Sequence, residues 1–137
     1  MKKWSVFAPF YPRGRGRLID IEDITKKVIE IVKRATNIRT KTGWVTQEDS
    51  FPLITIFALG QRPEKILGEV AIYRFTYQID VWHNSMLECD REAKKIIDSF
   101  INCYKTENWF SLNFVISDFQ EEGVFRKIIR VEFGAIG

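Results

Sequence analysis

Histidine is almost missing from this chain: His83 stands alone among 137 residues. Nucleophile–base catalysis needs a base held beside its nucleophile, and metal sites need ligands at set spacings. One histidine at a junction between two predicted elements supplies neither and reads as a polar surface or capping residue. Cysteine is scarce too. Cys89 and Cys103 make no Cys-x-x-Cys pattern, which argues against zinc. Both fall on one predicted helix, about 21 Å apart at 1.5 Å per residue. A disulfide needs Cα atoms within about 7 Å, so they cannot bridge along that helix. Free thiols fit a reducing compartment. No phosphate-binding glycine motif occurs, because RGRGR at 13–17 is neither GxGxxG nor a P-loop. The longest apolar stretch, around 51–59, is far too short to span a bilayer. The opening MKKWSVFAPF has too short an apolar core for a signal peptide. The net charge of +3 does not by itself call for nucleic acid.

What is abundant is aromatic. Phenylalanine, tryptophan and tyrosine make up 14% of the chain, and eleven of them are Phe. Aromatics are enriched at interfaces, so some of these rings are expected to meet a partner. The chain is one domain by length, large enough for a real core without staples.

The strongest pattern is VAIYRFTYQIDVWHNSMLECD at 70–90. Ala71, Tyr73, Phe75, Tyr77, Ile79 and Val81 alternate with Ile72, Arg74, Thr76, Gln78 and Asp80. A period of two predicts a long strand with one buried and one mostly polar face. Ser85 then opens a helix with Glu88 three residues on, the spacing of a reciprocal capping box.

The rest reads around that element. Residues 1–19 form an extended arm, separate from a single domain at 20–137. Its aromatics Trp4, Phe7, Phe10 and Tyr11 show no helical or strand period, and Arg13, Arg15 and Arg17 alternate with glycine. The arm folds back on its own domain or docks on a neighbour. Its arginines meet phosphate, meet an acidic partner, or stay solvated. A first helix is predicted over 21–36, capped by Asp20, with Ile21, Ile24, Val28, Ile31, Val32 and Ala35 inward. Residues 42–47 read as a short strand and 52–59 as a central or covered one. Gly60, Pro63 and Gly68 mark 60–69 as a loop or extended hairpin tip, in which Gln61, Arg62, Glu64 and Lys65 project toward a partner. A second helix covers 86–105, with Met86, Ala93, Ile96, Ile97, Phe100, Ile101 and Tyr104 inward. Strands over 110–119 and 125–133 close the chain as a hairpin around Glu121, Glu122 and Gly123. The first strand carries Phe110, Leu112, Phe114 and Ile116 on one face. The second carries Phe125, Ile129, Val131 and Phe133, with Lys127 breaking the series. The order predicts an α+β fold: a two-layer sandwich, two helices on one face of a mainly antiparallel sheet. Ile24, Val28 and Ile31 should pack with Phe75, Ile97 and Phe100. Asp118, Glu121 and Glu122 cluster at the turn, where carboxylates are usually solvated. No catalytic constellation stands out, so no enzyme activity, cofactor or metal is expected.

Three pieces carry a family resemblance: Phe51-Pro52-Leu53-Ile54 opening a strand, Asp80-Val81-Trp82 ending the next, and a polar-capped helix followed by a closing hairpin. In this order, over about 20–137, they resemble the tail-terminator (tail-completion) proteins of long-tailed phages. The arm at 1–19 departs from the shortest members. The resemblance implies a structural virion protein at the head-proximal end of the tail, assembled in the host cytoplasm. Several copies, typically six, would close a homo-oligomeric ring on the tail-tube protein and meet the head-connector protein. DNA would pass through the lumen without sequence specificity. Other readings are a different head–tail joining or tail-tube ring subunit, or a small nucleic-acid-binding α+β domain. An enzyme with an acidic site near Asp118 would instead need a deep pocket there.

Overall fold

The computed structural model describes residues 20–68 and 70–136. The elements are α1 (Ile21–Ala35), β1 (Thr40–Thr42), β2 (Leu53–Leu67), β3 (Val70–His83), α2 (Met86–Thr106), β4 (Trp109–Glu121) and β5 (Val124–Ile136). The strands form one sheet in the order β1-β2-β3-β5-β4. Every pairing is antiparallel except β1 with β2. Both helices pack on the same face, giving the α+β architecture expected from the pattern.

α1 begins because the Asp20 side chain accepts the Glu22 N–H at 2.9 Å. Acidic residues fill its first turn and Lys33 and Arg34 its last, each matching the helix dipole. Val28, Ile31 and Val32 are buried, and Ile24 and Ala35 pack at the core's margin. Ile21 departs from its expected inward place: it is 44% exposed, because the first turn lies beyond the core. The Thr25 hydroxyl meets the Tyr77 hydroxyl at 2.9 Å, tying α1 to β3 across the layer boundary.

α2 starts where Ser85 Oγ accepts the Glu88 N–H at 3.4 Å. Only this half of the capping box forms, since the Glu88 carboxylate pairs with Arg91 instead. Cys89, Ala93, Ile96 and Phe100 are buried, with Ile97 and Tyr104 packed against them. Met86 and Ile101, expected inward, are 52% and 37% exposed. The helix buries a narrower stripe than the run of apolar residues implies, and Cys89 and Glu92 take part of it. Both cysteines are free.

The core fills the space between the helices and one sheet face. It comprises Ile54 and Ile56 of β2, Phe75, Tyr77, Ile79 and Val81 of β3, and Ile129, Val131, Phe133 and Ala135 of β5. Trp109 stacks on Phe133 with ring centroids 4.0 Å apart, and Phe75 stacks on the same ring at 5.6 Å. Ile24, Val28 and Ile31 do share this core with Phe75, Ile97 and Phe100.

Strand bounds differ from expectation in two places. β1 lies at Thr40–Thr42 rather than 42–47. Residues 43–50 instead turn around Asp49, whose carboxylate takes Arg39 at 2.8 Å, Lys41 at 2.7 Å and the Thr46 N–H at 2.7 Å. Of the two readings of 60–69, a loop or an extended hairpin tip, the structure has the second. β2 and β3 stay paired up to Leu67 and Val70, and register shifts at 58–60 and 63–65 absorb the extra residues.

Candidate assembly surface

Alternation along the ladder sends one residue in two to the face away from the helices. Across β2, β3, β5 and β4, that open face runs in cross-strand rows: Leu53, Trp82, Arg126 and Phe119; then Thr55, Asp80, Ile128 and Ser117; then Phe57, Gln78, Arg130 and Val115. The mostly polar face expected of β3 is therefore not simply solvated. Leu53, Thr55 and Asp80 on it are fully buried.

Asp80 is the centre of this region. Arg126 donates to its carboxylate from Nη2 at 2.7 Å and Nε at 3.1 Å, and the Gln78 amide donates at 3.1 Å. Burial raises the Asp80 carboxyl above its ordinary pKa, and Arg126 and Gln78 pull against that rise. The Arg126 guanidinium lies 4.7 Å from the Trp82 ring centre and 5.7 Å from that of Phe119. Such cation–π contacts hold a desolvated arginine in place. Trp82 in turn donates its indole N–H to Thr55 Oγ1 at 3.1 Å and stacks on Phe51. His83, the last residue of β3, sits beside this cluster and accepts the Asn84 N–H on Nδ1 at 2.9 Å, at the junction with α2.

The lysine that breaks the β5 pattern keeps its place in the ladder. Lys127 belongs to the helix-side row of Ile129, Val131 and Phe133, and it is only 8% exposed. Its ammonium bridges Asp90 of α2 at 2.8 Å and Asp118 of β4 at 2.7 Å. Burial lowers the Lys127 pKa, but hydrogen bonds and charge from Asp118 and Asp90 outweigh burial and raise it. Asp118 is thus engaged in an ion pair, and the recess beside it is a shallow notch of about 180 Å³. Burial also raises the Cys89 thiol, which faces the Val81 and Phe125 carbonyls.

The sheet ends in two unlike open edges. β1 pairs only with 54–56, so β2 is unpaired on its outer side from Phe57 onward among the described residues. This edge is bulged, contains Pro63 and carries charge, three devices that discourage strand addition. Gln61, Arg62, Glu64 and Lys65 lie in this stretch of β2, in a strand rather than in a loop. Arg62 is exposed and faces Arg74 across the hairpin, while Glu64 comes within 3.8 Å of Arg74. The opposite edge, β4, has no proline or lysine along Trp109–Glu121. Val115, Ile116 and Phe119 are 63%, 46% and 57% exposed on it.

β4 also departs from expectation at its start. Ser111 adopts φ 53, and the register shifts between Phe110 and Asn113. Phe110 is therefore turned to the open face, where its ring covers Gly134. A Cβ on Gly134 would meet that ring at 2.5 Å. Leu112 and Phe114 pack at the core, whereas Ile116 is exposed.

The sequence pointed to one of these edges and passed over the other. The exposed apolar group on β4, the Arg126 clamp and the Lys127 bridge were hidden inside an apparently ordinary hairpin. Three apolar residues on both faces of one predicted final-hairpin strand were the available signal. Trp4, Phe7, Phe10, Tyr11, Arg13, Arg15 and Arg17 lie outside the described residues. Among the described residues no group of three or more metal-ligating side chains converges, and no helix is long and apolar enough to cross a membrane. No protein-family model matches the chain, and no curated protein matches it either.

Proposed function

We propose that this protein is a ring-forming structural subunit of a phage tail, of the tail-terminator type. Copies close head to tail on the end of the tail tube and offer their other side to the head connector. The sequence resemblance motivates this reading, and one structural observation supports it best: among the described residues the sheet has two dissimilar free edges. One is a charged, bulged hairpin; the other is a long strand with Val115, Ile116 and Phe119 exposed on it. Unlike edges on one protomer suit a heterologous contact, and heterologous contacts close into rings when the rotation between neighbours divides a full turn.

The test is the mass of the purified protein by native mass spectrometry, with negative-stain images of the same sample. A closed ring of six copies, formed alone or on addition of tail tubes, is the expected result. A protein that stays monomeric and also fails to bind tail tubes would overturn the proposal. Salt-sensitive binding of a monomer to free DNA or RNA would favour a nucleic-acid-binding domain instead.

A further inference from the structure

The notch beside β4 has a chemical character of its own. It is lined by Met86, Cys89, Asp118, Phe119, Phe125 and Arg126. Met86 and Leu87 at the start of α2 are 52% and 69% exposed, and Phe119 is 57% exposed. Asp118 lines this apolar ground, Asp90 shares Lys127 with it, and Glu121 and Glu122 follow at the end of β4 and in the turn after it. The nearby cations are largely spent, since Arg126 is paired with buried Asp80 and Lys127 is shared between Asp90 and Asp118. A recess of about 180 Å³ is smaller than the roughly 300–1,000 Å³ of ordinary small-molecule pockets. It suits a protein side chain.

The chain itself holds a segment of matching chemistry. Of its 21 basic and 18 acidic residues, five basic and no acidic ones precede Leu18, leaving 16 basic against 18 acidic in the remainder. Lys2, Lys3, Arg13, Arg15 and Arg17 flank Trp4, Phe7, Phe10 and Tyr11. Basic residues around aromatics complement carboxylates around an apolar notch. Extended chain reaches about 3.3 Å per residue, so seventeen residues can span at most about 56 Å.

We infer that the acid-bordered notch between β4 and the start of α2 receives the N-terminal segment Met1–Arg17 of a second copy. Aromatic side chains enter the notch, and Arg13, Arg15 and Arg17 pair with Asp118, Glu121 and Glu122. The inference rests on the ring reading and assigns one of its contacts.

Cysteine cross-linking of the full chain in a Cys89→Ala, Cys103→Ser background tests it, since Cys89 itself lines the notch. Phe7→Cys and Phe119→Cys are prepared as separate proteins, mixed and oxidised. A covalent dimer that appears only in the mixture is expected. Asp118→Lys, Glu121→Lys and Glu122→Lys together on the Phe119→Cys protein should cut its yield at least tenfold. A Lys33→Cys protein replacing Phe119→Cys controls for random collision, and equal yield with it would overturn the inference. So would a disulfide inside single chains when both cysteines are put on one dilute protein, because the segment would then fold on its own domain. Native mass separates the two readings. Rings without the Phe7–Phe119 cross-link overturn this contact and leave the ring standing, whereas monomers throughout remove both.

Discussion

The two faces of the sheet are stabilised by different means. The helix side is packed mainly with Ile, Val and aromatic side chains, and burial of apolar surface is its main support, with the Lys127 bridge at its margin. The open side buries a carboxylate, Asp80, which takes hydrogen bonds from Arg126 and Gln78, and two rings flank the arginine in turn. An apolar face tolerates exchange between similar shapes, whereas a buried ion pair depends on both partners at once. The open face is therefore the more specific of the two and the one less able to change without a compensating change beside it.

The largest effect should come from the apolar side. Phe100→Ala removes a fully buried ring and should lower unfolding free energy by about 3–5 kcal/mol in urea titration. A value under about 1 kcal/mol would mean the helix layer is not the main support.

On the open side, Arg126→Met leaves Asp80 buried without its cation. The cost should be about 3 kcal/mol near neutral pH, since breaking one partner of a buried pair strands the other charge. The sign with pH is defined. A carboxyl whose folded pKa is raised is held in its protonated form more firmly by the folded state. Its burden on stability grows as pH rises through the window above the ordinary carboxylate value and is relieved below it. The variant should therefore lose less relative to the wild type at pH 4 than at pH 7. A pH-independent difference would contradict the assignment of the charge.

Gly134→Ala probes the margin where β4 crosses to the open face. The new methyl would have to displace the Phe110 ring, at a cost of about 1–3 kcal/mol. Phe110→Ala in the same background should recover part of it, and a purely additive pair would break the link.

Asp49 belongs to neither face and gives a smaller effect of opposite sign in pH. Hydrogen bonds from Arg39 and Lys41, then from the Thr46 backbone, hold its carboxyl well below the ordinary range. A depressed carboxyl contributes stability above its unfolded pKa near 3.8 and loses it as pH falls further. Asp49→Asn should therefore flatten the acid limb of a thermal-stability profile below about pH 4. The smallest difference is chemical: Cys103, half-buried, should react with a thiol reagent well before Cys89, which is buried.

Much of the helix side could be read from sequence, because period-two and period-3.6 patterns report burial against an apolar layer. Val28, Ile31, Phe75, Phe100 and Val131 fell where the pattern put them. The misreadings have a common physical origin. Gly60, Pro63 and Gly68 looked like loop residues, yet register shifts let β2 continue through the first two, and Gly68 turns the hairpin at φ 63. Ser111 has no property that announces a left-handed bulge, so Phe110 was put on the wrong face. Lys127 looked like a break in the strand, because its two carboxylate partners lie 37 and nine residues away in sequence. Asp80 looked solvated for the same reason, its partner Arg126 being 46 residues off. Contacts between distant positions are written in no local pattern. The acidic apolar notch was missed on that account too, since α2 and β4 build it together.

The strand order carries a consequence for synthesis. β5 is translated after every other element, yet it lies between β3 and β4 and supplies Ile129, Val131 and Phe133 to the middle of the core. While the ribosome is still making it, β4 has no neighbour and the aromatic cluster has no centre. The nascent chain must hold half a sheet open until the final hairpin arrives, a state in which unpaired strands are most prone to mispairing. The sheet is completed only when β5 is in place, so a truncated chain that lacks β5 should fail to give a cooperative unfolding transition in urea.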